Sequence, residues 1–283
     1  MARIGEKIAF VFTGGGSLGA IQVGMLRVLL AAGVQPDFVV GASVGAINAS
    51  YFASAPTAEG VEKLERIWTG LRHSDIFPFT LASAIGLFRN PGNLVDPSRL
   101  RRIIEMHLPF VRLEETQIPL HIMATTLQGL GVRLSSGAAV EAILASTAIP
   151  GIFPHVEING IARRCCGSQH ADAACGGTRR VADHHSSDWL CMCLEGTTEK
   201  CRRESIACDH LMIAWQLMHE LERIPEDIQV HLVPTLCPLA ISPFDFSSSP
   251  ELIERAARSS QKWIEDGGLV RPARPEELAP HRH

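Results

Sequence analysis

The sequence predicts an α/β fold, a mostly parallel sheet flanked by helices in three layers. Two observations carry that expectation. Strand-like runs alternate with helical stretches, the order that builds a parallel sheet with helices on its faces. Each of the first two runs is also cut by a glycine that opens the next helix. At 283 residues, 46% of them hydrophobic and 20% charged, the chain is long and apolar enough to bury a large core.

The first strand is read over residues 7–13, K-I-A-F-V-F-T, a continuous apolar run with β-branched and aromatic members. Such a run marks a strand buried on both faces. After the turn Gly14-Gly15-Gly16-Ser17-Leu18-Gly19, residues 17–32 carry Leu18, Ile21, Val23, Leu26, Val28, Leu29 and Leu30 as a buried helix ending at Gly33. Residues 38–40 form a second short strand, stopped at Gly41. Residues 44–53 form a helix rich in small residues, able to pack close to the sheet. Helices are expected at 58–71 and 97–107, a third strand at 119–126, a helix at 138–146 and a proline-punctuated loop at 148–154. Towards the C-terminus, helices at 211–223 and 251–266 flank a strand at 228–233. The tail from Arg271 is rich in proline and charge and is expected to fray. No repeat or linker divides the chain, so one domain is read over 1–283.

A formal charge of −4 leaves no electrostatic footprint for nucleic acid, and no basic run suits an anionic membrane. The apolar run at 8–12 is too short for a signal peptide, and no stretch approaches the roughly 18 apolar residues of a membrane span. A cytoplasmic protein is expected, at most peripheral to a membrane through transient contact with its surface. The oligomeric state is not legible.

Two motifs carry chemistry. The glycine turn between the first strand and helix has three readings. It could cradle a dinucleotide, but the region where a ribose-binding carboxylate belongs is Phe38-Val39-Val40-Gly41; no lysine follows Gly16 as a P-loop requires. It could be a plain tight turn. Or the backbone N–H groups of Gly14, Gly15, Gly16 and Ser17, exposed at a helix N-terminus, could stabilise a developing oxyanion. The second motif is Gly41-Ala42-Ser43-Val44-Gly45, a G-x-S-x-G elbow between strand and helix. That sharp turn lifts a serine hydroxyl clear of the sheet, and Gly41 and Gly45 remove side chains that would collide with it. Ser43 is the candidate nucleophile.

Only one strand-helix unit precedes Ser43, whereas several precede the nucleophile in α/β-hydrolases. The arrangement instead resembles the patatin-like phospholipases, with a glycine-rich turn on the first βα unit and G-x-S-x-G on the second. The stretch Ala145-Ser146-Thr147-Ala148-Ile149-Pro150-Gly151-Ile152-Phe153-Pro154 is similar to that family's A-S-x-A-x-P-x-x-F-P segment. The likeness covers residues 6 to about 160 and, more weakly, 211–270. It implies a serine acyl hydrolase acting on lipid esters without a cofactor or metal. Ser43 would form an acyl-enzyme, an aspartate would serve as general base in a Ser–Asp dyad, and the 14–17 turn would hold the oxyanion.

The pattern then breaks. The family's D-G-[GA] turn is due roughly ten residues after the F-P, where this chain has Ile158-Asn159-Gly160-Ile161-Ala162-Arg163-Arg164-Cys165-Cys166. Seven of the eight cysteines fall between Cys165 and Cys208, and no helix or strand period survives there. A zinc or disulfide module would account for the cysteines, but no C-x₂-C pair has a matching partner. A disordered insertion would not be cysteine-rich. A third explanation is translation out of frame across about 161–210. Read one base forward, Asp183-His184-His185-Ser186 yields three successive codons that encode only Ile or Thr, as a buried strand needs. Synonymous choices from Ile161 onward give L-L-D-G-A-V-x-x-N-M-P followed by a helix-like and a strand-like run. Two compensating shifts fit best, and low local order is expected across 161–210. As written, Arg163 or a neighbour occupies the base position, and hydrolysis is expected to be impaired. Asp172 and Asp266 are poor substitutes, the first in the scrambled stretch and the second at a helix end far downstream. A catalytically silent chain with a lipid-binding or interaction role is the alternative.

The apolar stretch 77–88 could line an acyl pocket or form core under a loop. Trp68, Trp189, Trp215 and Trp263 share no spacing and receive no assignment.

Overall fold

The structure is a computed structural model and describes residues 7–76, 95–150, 152–165, 224–225, 227–236, 239 and 241–273. The chain divides into two compact units. One comprises Met1–Cys175 with Val233–Gly268; the other comprises Gly176–Leu232 with Leu269–His283.

The first unit is a mixed sheet flanked by helices, the α/β class the sequence predicts. Its elements in order are β1 (Ala9–Phe12), a 3₁₀ turn (Gly16–Leu18), α1 (Gly19–Ala31), β2 (Phe38–Ala42), α2 (Val44–Ser54), α3 (Ala58–Gly70) and the short α4 (His73–Ile76). Next come α5 (Ser98–His107), a second 3₁₀ turn (Leu113–Glu115), β3 (Leu120–Thr126), β4 (Gly131–Leu134), α6 (Ala139–Thr147), β5 (Val156–Ile158), β6 (Ile161–Arg164) and α7 (Ser249–Glu265). The strand order is β1-β2-β3-β6-β5, with β4 also paired to β3. The β1–β2–β3 half is parallel, with Phe12 opposite Gly41 and Ala42 opposite Met123. Beyond β3, the pairings are antiparallel. Parallel strands need crossover connections. Helix α1 lies in the first, between β1 and β2, and α2, α3 and α5 lie in the second, between β2 and β3. The two motifs are therefore side by side, at the C-terminal ends of adjacent strands.

Strand alternation sorts the core. Val39, Ile122 and Phe12 join the main cluster with Leu26, Phe52, Leu64 and Ile143, while Val40, Ala42 and Met123 form a smaller cluster with Phe38. Burying each large side chain contributes about 1.5–3 kcal/mol, so the parallel half carries much of the sheet's stability. Helix α3 is amphipathic, with Val61, Leu64 and Trp68 buried, and Thr57 caps it by accepting from Gly60 N–H at 3.2 Å.

Several expectations need correction or fall outside the described residues. Residues 228–233, expected as a strand, are irregular. A strand needs a ladder, and what Val230 has is its carbonyl accepting from Ala273 N–H at 2.7 Å. The scrambled reading begins at 161, yet residues 161–164 pair with β5 and with Thr125 and Thr126 of β3. The expected helix at 211–223, the stretch 77–88, Asp172, Trp189, Trp215 and the segment 166–210 all lie outside the described residues. Among the described residues, no helix is long and apolar enough to cross a membrane.

Candidate active site

Ser43 occupies the junction of β2 and α2 with φ of 55° and ψ of −127°. Among the described non-glycine residues, only Ser43 and Asn159 have positive φ. Such a conformation costs of order 1–3 kcal/mol and persists only where the surroundings impose it. Here they do. A Cβ on Gly45 would lie 2.2 Å from the Phe12 carbonyl oxygen, and one on Gly41 would lie 2.5 Å from that of Gly45. The first turn of α2 thus rests on the backbone of β1 and β2, which only glycine at both positions permits. Ser43 is 9% exposed.

Ser43 lies against the glycine turn. A Cβ on Gly14 would come 3.2 Å from Ser43 Cβ and 3.8 Å from Ser43 Oγ. Gly15 and Gly16 have φ of 149° and 58°, and the N–H groups of Gly14, Gly15 and Gly16 make no backbone hydrogen bond among the described residues. Ser17, which the sequence groups with these donors, is placed differently. Its N–H donates to Pro243 O at 2.7 Å and its hydroxyl to Ser242 O at 3.0 Å. With both groups spent on a loop from the far end of the chain, Ser17 fastens the turn rather than presenting a donor.

That loop also builds a wall. Pro243, Phe244 and Phe246 line a cavity of about 110 Å³ that Ser43 and Gly16 share. The remaining walls are mostly apolar side chains, chiefly from α2, α3, α5 and α6, Ile47, Leu64, Ile104 and Ile143 among them. Trp68 stacks on Phe246 with centroids 6.1 Å apart and an interplanar angle of 17°. Its indole N–H donates to Asn48 Oδ1 at 2.8 Å, while Asn48 donates to Gly19 O at 2.9 Å and to Gln22 Oε1 at 2.8 Å. The ring is therefore fixed, with its polar edge satisfied. The loop is tied again where His73 Nδ1 meets Phe244 O at 2.8 Å; a carbonyl only accepts, so that nitrogen carries the proton. Asp245 accepts from the Ser247 hydroxyl at 2.6 Å and its N–H at 2.9 Å, which together hold its carboxyl below the usual range.

Of ionisable side chains, Tyr51 and His107 line the cavity; among the described residues no carboxylate does. Asp266 caps the C-terminal end of α7 and is not among the lining residues. Arg163, in β6, is 7% exposed; its guanidinium donates to the carbonyls of Ile158 and Ile161, and its Nε has no partner among the described residues. Beyond it, Cys165 N–H donates to Ala148 O at 2.9 Å, which brings the end of β6 to the loop after α6.

A family model for patatin-like phospholipases matches residues 10–176, more than half of the chain's 283 residues. The chain belongs to the patatin-like phospholipase family. A patatin-like phospholipase domain-containing protein of Caenorhabditis elegans is 28% identical over 159 residues, which is 55% of this chain and 14% of that protein. Human patatin-like phospholipase domain-containing protein 6 is 26% identical over 157 residues, 54% of this chain and 11% of that protein. This chain thus spans about one seventh or less of the length of these relatives. Among solved structures, VipD from Legionella pneumophila aligns with 93% of this chain and 67% of its own, at 13% identity and a TM-score of 0.43.

Two contributors to this patatin-like site escaped the sequence. One is Ser146, whose hydroxyl oxygen accepts from the Ser43 N–H at 2.8 Å and which was read only as part of the A-S-x-A-x-P segment. The other is the 242–246 loop, whose cue was the pair of phenylalanines flanking Asp245 after Pro243.

Proposed function

We propose that this patatin-like chain is a serine acyl hydrolase of lipid esters. Ser43 Oγ attacks the ester carbonyl, and the N–H groups of Gly14, Gly15 and Gly16 receive the charge that develops on its oxygen. The acyl chain lies among the apolar side chains of the cavity. Expulsion of the alcohol leaves an ester on Ser43, and water then releases the acid. The observation that carries this reading is the strained Ser43 held beside the glycine turn and opening into an apolar cavity.

The proposal includes impaired turnover. A neutral serine needs a base within hydrogen-bond reach, and such a base contributes about 10²–10⁴-fold. The sequence has no D-G-[GA] turn where the family places its aspartate, and that supports a slow enzyme. It also favours the second reading, a catalytically silent lipid-binding chain. Hydrolysis of a short-chain p-nitrophenyl ester by the wild-type chain and by Ser43→Ala separates the two. A rate above background that Ser43→Ala removes supports the hydrolase; identical rates support the silent reading. A synthetic gene that encodes the forward-shifted reading of 161–210, with codons chosen to begin Leu-Leu-Asp-Gly-Ala, supplies an aspartate after β5. We expect it to raise kcat/KM by about 10²–10⁴-fold, and an unchanged value would contradict the account of the missing base.

A further inference from the structure

We propose that Ser146 is the positioning residue of the elbow, a hydroxyl inserted where the next rung of the β2–β3 ladder would close. The inference rests on the hydrolase reading of Ser43. In the parallel pairing of β2 with β3, Val39 lies opposite Leu120 and its N–H donates to Pro119 O at 2.9 Å. Each ladder donor thus reaches the residue before its partner. Carried forward past the Ala42–Met123 pair, that rule assigns the Ser43 N–H to the Met123 carbonyl. The direct bond is replaced. Ser43 N–H donates to Ser146 Oγ at 2.8 Å, and the Ser146 hydroxyl donates to Met123 O at 2.6 Å.

The direction of this relay is fixed, because a hydroxyl has one proton and Met123 O can only accept it. The Ser146 oxygen is therefore left as the acceptor for Ser43. Ser146 is fully buried on α6, so no water substitutes readily for it. The inserted oxygen parts the end of β2 from β3 while satisfying both backbone groups, and the chain is free to turn into the positive-φ conformation at Ser43. Without it, two alternatives remain. Either the Ser43 N–H stays unpaired, or the rung closes directly and draws Ser43 back towards extended backbone, away from Gly14.

The test compares wild type, Ser146→Ala and Ser146→Thr, all in the full chain. A fluorophosphonate probe, with adduct mapping at Ser43, gives the saturating labelling rate and the probe concentration for half-maximal rate. Ser146→Ala is expected to lower the saturating rate about tenfold to a hundredfold, with little change in the half-maximal concentration; Ser146→Thr, which keeps the hydroxyl, restores much of it. Amide hydrogen exchange at Ser43 gives a second measure independent of nucleophilicity. Ser146→Ala accelerates it while neighbouring β2 amides keep their protection. A folded Ser146→Ala chain with wild-type labelling and unchanged Ser43 exchange overturns the proposal. If the wild-type chain takes no label at Ser43, the hydrolase reading fails, and the exchange comparison alone decides the role of Ser146.

Discussion

Alanine at position 45 should do more damage than any other single methyl in the elbow. A Cβ there would lie 2.2 Å from Phe12 O, 2.5 Å from Phe12 C and 2.6 Å from Thr13 O, where ordinary contact begins at 3.4 Å. All three atoms are backbone, so no side chain can swing aside. The first turn of α2 must retreat from β1 by about 1 Å, and overpacking of this kind sits at the upper end of a range of about 1–3 kcal/mol. For a chain this long, 3 kcal/mol lowers Tm by about 6–12 °C. The retreat also carries Ser43 away from Gly14, and a misplacement of about 1 Å costs about 10²-fold in reactivity. Calorimetry and fluorophosphonate labelling read the two consequences separately. Gly70→Ala is the control: nothing lies within 4 Å of its added Cβ, so alanine at the end of α3 should leave stability unchanged or raise it by up to about 1 kcal/mol. A Gly45→Ala chain that melts and labels like wild type would refute the packing argument.

Three further outcomes are expected. Ser43→Gly relieves the strain at φ of 55° and should raise Tm by about 2–4 °C for roughly 1 kcal/mol while abolishing labelling; a lowered Tm would show that the elbow is unstrained. Arg163→Leu removes a buried guanidinium whose Nε is unpaired among the described residues. It should stabilise the chain by about 1–3 kcal/mol in urea unfolding, whereas a loss would mean that the cation supports the hairpin. His121 has its pKa lowered from 6.5, first by burial and then by Arg133. The unfolded chain therefore takes up the proton first. This contribution is whole above about pH 6.5 and is lost as pH falls through that value towards the lower folded one. Urea midpoints between pH 7.5 and 5 should fall less steeply in His121→Gln; identical slopes would contradict the assignment.

The parallel half of the sheet was legible because its signals are steric and local. The run Ala9-Phe10-Val11-Phe12 and the glycines at 41 and 45 leave few alternatives for the backbone. The antiparallel additions were not: β5 has three residues and β6 four, too short for a period of two to stand out. Arg163 in β6 contradicts burial outright, so composition argued against the strand that the backbone forms. Ser146 was visible only as one letter of the A-S-x-A-x-P segment, because its bond to the Ser43 N–H spans 103 positions and exists only in the folded chain. The 242–246 loop was hidden by distance, because Ser17 and Ser242 are separated by 225 positions and meet only in the folded chain.

Adduct mapping after fluorophosphonate treatment tests the central claim most directly. One phosphonylated serine at position 43 is predicted, together with no adduct in a Ser43→Ala chain that unfolds as cooperatively as wild type. Modification at another residue, or none on a folded wild-type chain, would contradict the assignment of Ser43 as the reactive group.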